Sequence, residues 1–224
     1  MTNRPSLLAE QADYIIFAIA SVVCAGLLAI LGEAEALPVL RSTPIFPATI
    51  LAAVLGFGLS LFLHRQNIPA GKPGPATFAG TAKLLAVAAA LALPPVAIDL
   101  LRPFPREMNL PVPAALAFYP AIALVAEVAF HLAPMAILTA VLPRSSSLLW
   151  VLVPAILVEP AFQAALMPGE GLVRFLVFLN VTLISAVQIW LYRRKGFSAM
   201  MGLRLAFYLF WHVLWGTARL AILF

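Results

Sequence analysis

Residues 119–134 read Tyr119-Pro-Ala-Ile-Ala-Leu-Val-Ala-Glu127-Val-Ala-Phe-His131-Leu-Ala-Pro134. This stretch places a carboxylate and an imidazole inside an otherwise apolar helix. Glu127 and His131 are four residues apart, so both side chains leave the same face of the helix. An ionisable side chain at bilayer depth is costly unless it is paired or solvated, and it marks a functional site by default. The stretch therefore predicts a site inside a membrane.

The composition of the chain is that of a polytopic membrane protein. Of its 224 residues, 63% are hydrophobic and 10% are charged, and the mean hydropathy is +1.03. Because one span needs roughly 20 apolar residues, we expect an all-α membrane helical bundle of about seven transmembrane helices, forming a single integral membrane domain over residues 1–224. The predicted spans are residues 14–32, 44–63, 78–101, 113–142, 148–167, 171–192 and 199–223.

The charges predict membrane topology and do not predict nucleic-acid binding. The net charge is +5, but the basic residues are dispersed over the ends of loops, so membrane lipid is an expected partner and nucleic acid is not. The first apolar run is longer than a signal-peptide core, and we expect a retained span. The basic residues divide nine against five, which predicts a cytoplasmic N-terminus in a bacterial-type cytoplasmic membrane. The two sets are Arg4, Arg65, Lys72, Lys83, Arg144, Arg193, Arg194, Lys195 and Arg204, against Arg41, Arg102, Arg106, Arg174 and Arg219.

Five polar residues on three predicted helices fall at similar depths. Counted from the predicted cytoplasmic ends, His131 and Glu159 lie at roughly 16 Å, His212 at roughly 20 Å, and Glu127 and Gln163 at roughly 22 Å. Polar groups in lipid seek one another. We therefore expect one polar layer, about 6 Å thick, in which Glu159, His131 and His212 converge on Glu127.

Each of these residues also has a structural interpretation, which the sequence leaves open. Glu127 and His131 could form an intrahelical ion pair, a protonated Glu159 could donate a hydrogen bond to a carbonyl freed by Pro160, and His212 could be a packed histidine. Other polar residues are expected to snorkel to the interface, as with Arg204 and Lys83, to lie at the outer boundary, as with Asp99 and Arg102, or to bond neighbouring helices, as with Asn180 and Gln188.

Three motifs resemble those of a known family. Ala126-Glu127-Val-Ala-Phe-His131 resembles the first motif, Glu-Glu-x-x-x-Arg, of the CPBP family of intramembrane proteases, which includes the CAAX prenyl-protein endopeptidases and the Abi-type bacterial proteins. His212-Val-Leu-Trp-Gly216, preceded by a basic turn at residues 193–196, is similar to the last motif, His-x-x-x-Asn. Between them, Glu159-Pro-Ala-Phe-Gln163 lies where the family has Phe-x-x-x-His. The resemblance covers roughly residues 113–220.

The resemblance implies a peptide-bond hydrolase with a polar cavity in the membrane. Glu127 would activate a water that attacks the scissile carbonyl, His212 would stabilise the oxyanion, and His131 or Glu159 would assist as acid or base. The candidate substrates and partners are a membrane protein or a lipidated peptide. The chain departs from the motifs at four positions: Ala126 replaces the first glutamate, His131 the arginine, Gln163 the middle histidine and Gly216 the asparagine.

Two alternative functions fit the same residues. Glu127, His131, Glu159 and His212 could bind a divalent metal ion, or His131 and His212 could be axial ligands of a haem. Against a metal, the chain has no zinc motif such as His-Glu-x-x-His. The second alternative is a catalytically inactive membrane partner or scaffold of the same fold. Cofactors therefore stay undecided between none and a divalent metal.

Overall fold

The structure is a computed structural model, and it describes residues 11–31, 44–68, 77–166 and 171–224. Within these ranges the secondary structure is helical and contains no strand. Three of the basic residues used to predict orientation, Arg4, Arg41 and Lys72, lie outside them. The predicted membrane helical bundle is confirmed, because the described residues include seven helices long and apolar enough to cross a membrane.

The seven helices begin and end within three residues of the predicted spans. Pro, Gly and charged residues end the apolar runs, which is why hydropathy finds the boundaries. Gly196, between the sixth and seventh helices, has φ 83°, a conformation that favours glycine and reverses the chain within one residue. The helices are α1 Ala12–Ile30, α2 Ile45–Arg65, α3 Phe78–Leu101, α4 Ala114–Val141, α5 Leu149–Leu166, α6 Gly171–Lys195 and α7 Phe197–Ile222.

Helices α4 and α7 form the centre of the bundle. Of the most apolar 18-residue window in each, 56% and 50% is buried, against 22–33% in the other five helices. Those five expose large apolar side chains, among them Ile16, Leu51 and Phe175, as expected of surfaces that face lipid. The chain is therefore an integral membrane protein, and its two central helices carry both candidate histidines.

Both central helices contain a π-helical segment, and each segment contains a histidine. In α4 the segment is Val128–Leu132, which includes His131, and in α7 it is Leu209–Trp215, which includes His212. Pro134 has no N–H to continue the α-helical bonds, and the Ala133 N–H bonds back five residues to the Val128 carbonyl. π segments often mark functional sites.

A glycine allows α1 and α2 to pack closely against α4. A Cβ added at Gly56 would overlap the Tyr14 hydroxyl and lie 2.5 Å from Val128 Cγ2. The Tyr14 hydroxyl donates to the Ala52 carbonyl at 2.8 Å, so the ring has little freedom to move away. This contact positions α1 and α2 beside the π segment of α4.

We predict that Gly56→Ala destabilises the bundle by about 1–3 kcal/mol, because the added methyl group forces these packed side chains apart. The measurement is thermal unfolding in detergent. Gly58→Ala, in the same helix, is the matched control, since a Cβ there meets nothing within 4 Å. Equal melting temperatures for the two variants would contradict the close packing.

Candidate functional site

Arg204 lies at the centre of a buried network that joins four helices, α4, α5, α6 and α7. Its side chain, 4% exposed, donates from Nε to Glu127 Oε1 at 2.6 Å and from Nη1 and Nη2 to the two oxygens of Glu159 at 2.8 and 2.7 Å. The prediction that Arg204 snorkels to the interface is wrong, because two carboxylates stabilise its charge inside the bundle. Lys83, predicted to behave in the same way, is exposed.

Glu127 is fully buried, and both of its oxygens have partners. Its Oε2 is 2.7 Å from His131 Nδ1, and its Oε1 accepts from Arg204 and from Gln188 Nε2 of α6. The predicted interhelical role of Gln188 is therefore confirmed. The buried Oδ1 of Asn180, predicted for the same role, has no hydrogen-bond partner among the described residues.

His131 lies between the two carboxylates. Its Nδ1 is held by Glu127, while its buried Nε2 has no hydrogen-bond partner within the described ranges and lies 3.8 Å from Glu159 Oε2. Gln163 donates to Glu159 Oε1 at 3.0 Å. Four of the five predicted site residues therefore lie together. Gln188 binds Glu127, and Arg204 binds both carboxylates. We name the six residues together the carboxylate cluster: Glu127, His131, Glu159, Gln163, Gln188 and Arg204.

His212, the fifth predicted residue, lies in a different place. Its ring stacks on Tyr119 with the ring centroids 4.5 Å apart. Tyr119 precedes Glu127 by eight residues in α4, which is about 12 Å along a helix. On α7, His212 follows Arg204 by the same eight residues. The predicted convergence of His212 on Glu127 is wrong, because antiparallel packing pairs Glu127 with Arg204 and Tyr119 with His212.

The surroundings of His212 are aromatic, with one amide. Its Nδ1 is 2.8 Å from Oδ1 of Asn109, which belongs to the segment between α3 and α4. Tyr208 meets the imidazole edge to face at 5.0 Å between centroids, and its hydroxyl accepts from Arg204 Nη1 at 3.1 Å. Tyr208 thus contacts both Arg204 of the carboxylate cluster and His212. We name the second group the His212 cluster: Asn109, Tyr119, Tyr208, Trp211 and His212.

Arg204, Tyr208 and Asn109 are cluster residues that the sequence does not predict in the site, for different reasons. Arg204 is predicted at the interface because the pattern of its own helix contains no sign of the carboxylates on α4 and α5. Tyr208 shares a face with Arg204 and His212 at four-residue spacing, and that spacing was the signal for it. Asn109 comes from an irregular segment, and no pattern in the sequence connects it to His212.

Asp99, predicted at the boundary of the membrane, is near the end of α3 but fully buried. It forms a second ion pair, in which Arg219 Nε donates to its Oδ2 at 2.6 Å and Arg219 Nη2 to its Oδ1 at 2.8 Å. A fully formed bidentate pair explains how both charges remain inside the protein.

The predicted metal and haem sites do not fit this arrangement. In the described ranges, no three His, Cys, Asp or Glu side chains are grouped so as to hold a metal ion. The Arg204 guanidinium lies against both carboxylates, where a divalent cation would have to be, and His212 is about 12 Å away along the helices. The two imidazoles therefore do not share one ligand set.

We predict that Arg204→Gln lowers the free energy of unfolding by about 3–5 kcal/mol, because it leaves two buried carboxylates without their cation. Thermal unfolding in detergent measures the loss. Arg194→Gln, at the exposed end of α6, is the matched control and is expected to change stability by less than about 0.5 kcal/mol.

The double variant Glu159→Gln/Arg204→Gln extends this test. It is expected to be more stable than Arg204→Gln alone, since one unpaired carboxylate is removed with the cation. If Arg204→Gln is as stable as Arg194→Gln, the guanidinium is not the cation on which the cluster depends.

Comparison of the chain with models of known protein families, with curated proteins and with solved structures finds no match. Its function is therefore inferred from the two clusters and from the motifs that carry the resemblance.

Proposed function

We propose that this protein is an intramembrane hydrolase of the CPBP type, in which a water held at the carboxylate cluster attacks a peptide bond. The observation that carries the proposal is the Glu127–His131 pair. One imidazole nitrogen is held by a carboxylate at 2.7 Å, and the other is buried and has no hydrogen-bond partner among the described residues. An oriented imidazole with a free nitrogen is the arrangement of a general base.

The geometry supports His131 more strongly than Glu127 as the proton acceptor. The Glu127 oxygens already receive bonds from His131, Arg204 and Gln188, which leaves little capacity to bind a water. We assign Glu127 the role of orienting His131 and stabilising the imidazolium that forms, as the carboxylate does in other catalytic triads. Glu159, 3.8 Å from His131 Nε2, would stabilise the same cation.

The chemical groups missing from the family-like motifs have counterparts in space. The first glutamate is absent at Ala126, but Glu159 supplies a second carboxylate beside the Arg204 guanidinium. The arginine is absent at 131, but Arg204 supplies the guanidinium. These relocations support a re-formed polar site over a degenerate remnant.

The same relocation is found at His212. The motif's asparagine is absent at Gly216, yet Asn109 places its amide against Gly216, where an added Cβ would lie 2.9 Å from Asn109 Nδ2. Asn109 Oδ1 also contacts the His212 imidazole. An amide thus remains beside the histidine, although it comes from another part of the chain.

The separation of the two clusters changes the role proposed for His212. A carbonyl attacked at His131 is too far from His212 to bond with it. The level at which Glu127 pairs with Arg204 and the level at which Tyr119 stacks on His212 are about 12 Å apart along the helices. Tyr208 is nearer to the carboxylate cluster than His212 is, since its hydroxyl accepts from Arg204 Nη1. The hydroxyl keeps its own proton to donate. We therefore assign Tyr208 to the oxyanion and leave His212 to hold Tyr208 in place.

The inactive partner remains the second candidate function. It is favoured by one observation: Arg204, Glu127 and Glu159 already satisfy one another, and each is at most 3% exposed. Catalysis requires water to enter beside Gln163 or Tyr208, the half-buried residues at the edge of the carboxylate cluster. For the hydrolase, the proposed substrate is a membrane-embedded or lipidated peptide.

We also propose that the N-terminus is cytoplasmic. Among the described residues that are not in buried ion pairs, Arg65, Lys83, Arg144 and 193–195 are on the predicted cytoplasmic side, against Arg102, Arg106 and Arg174 on the other. This bias of six against three is consistent with the positive-inside rule.

We predict opposite labelling of two exposed positions by a membrane-impermeant maleimide in intact cells. With Cys24 replaced by alanine, Glu107→Cys is expected to react and Ser145→Cys is not, because they flank opposite ends of α4. Labelling of both variants after the cells are permeabilised is the control. The reverse pattern would invert the proposed orientation.

We predict that His131→Gln lowers peptide cleavage at least about 100-fold, the usual contribution of a general base. The full chain in proteoliposomes is incubated with transmembrane and prenylated peptides, and products are measured by mass spectrometry. His64→Gln, the same change at the end of α2, is the matched control and is expected to cleave at the wild-type rate.

Two results would contradict this assignment. Full cleavage by His131→Gln would remove His131 as the base and restore Glu127 to that role. Absence of cleavage by the wild-type protein across the peptide panel would favour the inactive partner.

A further inference from the structure

The segment between α3 and α4, residues 102–113, is held against α7 at two points. The first is the buried pair of Asp99 and Arg219. Arg219 donates from Nη2 to the Phe104 carbonyl at 2.6 Å and from Nη1 to the Pro105 carbonyl at 3.0 Å, while the Phe104 N–H donates to Asp99 Oδ1 at 2.8 Å. The ion pair therefore binds the segment as well as the two helices.

Trp215 belongs to this first point. Its indole N–H donates to Asp99 Oδ2 at 2.7 Å, the same oxygen that accepts from Arg219 Nε. Asp99 thus accepts from α7 at two positions and from the segment at a third. The start of the segment has a defined place on α7 because every bond is directional.

The second point is Asn109, which is 9% exposed. Its Cβ would lie 3.0 Å from a Cβ at residue 216, so its position depends on the absence of a side chain at Gly216. From there, its Oδ1 meets His212 Nδ1 at 2.8 Å. A hydrogen bond to one ring nitrogen decides which nitrogen of a neutral histidine carries the proton.

One atom of Asn109, its Nδ2, makes no hydrogen bond within the described ranges that would stabilise the fold. The buried Nδ2 of Asn109 has no hydrogen-bond partner among the described residues, although buried donors are normally satisfied. An unpaired donor beside an oriented histidine is the kind of group that a functional site retains.

We propose that Asp99 and Arg219 are positioning residues, which seat the segment so that Asn109 holds His212 with its proton on Nδ1 and its ring against Tyr208. The position of Asn109 and the tautomer of His212 follow from these contacts alone. The consequence for Tyr208 as the oxyanion donor rests on the proposed function.

The test is a spectroscopic signature of His212. The full chain, labelled with ¹⁵N-histidine, is studied by NMR in lipid nanodiscs, and His212→Gln assigns the signal. The wild-type protein is expected to show a single Nδ1–H tautomer. Asn109→Ala and Asp99→Asn are each expected to give a mixture of tautomers, while Arg106→Gln, an exposed arginine of the same segment, leaves the signal unchanged.

A relocation of the amide tests the role of Asn109 at His212 independently of whether Asp99→Asn folds. Gly216→Asn alone is expected to disturb the His212 signal, because its Cβ collides with Asn109. The double variant Asn109→Gly/Gly216→Asn removes the colliding Cβ of residue 109 and is expected to restore the single tautomer, since residues four apart on a helix are neighbours.

An unchanged His212 signal in Asn109→Ala overturns the role of Asn109, and an unchanged signal in a folded Asp99→Asn overturns the role of the ion pair. These outcomes do not depend on catalysis. Where cleavage is measured, Asp99→Asn is expected to lower kcat by up to about 100-fold with KM little changed. Loss of the tautomer without any cleavage in the wild-type protein would sustain the positioning role and reject the hydrolase.

Discussion

The Arg204 guanidinium lies between two buried carboxylates from different helices, and the arrangement of the central bundle depends on it. Lipid cannot solvate any of these charges, so each is tolerable only in the presence of the others. Glu127 comes from α4, Glu159 from α5 and Arg204 from α7. The three helices are therefore fixed at one level. The same constraint leaves Glu127 with one oxygen directed at His131, which orients the imidazole on which the proposed chemistry depends.

The register of α4 against α7 then determines the rest of the site. With Glu127 opposite Arg204, Tyr119 is brought opposite His212, and the two histidines are separated into two clusters. Tyr208 is the side chain that contacts both, through Arg204 and through His212. Both histidines lie in π-helical segments. The molecule therefore has two clusters at different levels: the carboxylate cluster, to which we assign the proposed proton transfer, and the His212 cluster, to which we assign positioning.

Two features of the site were predictable because they are local. Glu127 with His131 and Glu159 with Gln163 are each four residues apart in a helix, and both pairs are in contact, at 2.7 and 3.0 Å. Depths counted along single helices do not predict the position of His212, because the helices do not all begin at the same level. The burial of Arg204 was not predictable for a related reason, since the stability of a buried cation depends on the carboxylates of other helices.

By itself, the sequence determined a membrane bundle of seven helices and the pairs of polar residues within single helices, because hydropathy and helical periodicity act locally. Only the tertiary structure decided that Arg204 joins two carboxylates, that His212 stands apart, and that Asn109 fills the space over Gly216. The hydrogen bonds of Arg204 with the two carboxylates and of His212 with Asn109 join residues 45–103 positions apart in the chain. They depend on the axial register of one helix against another and on the position of a connecting segment, and a local sequence pattern predicts neither.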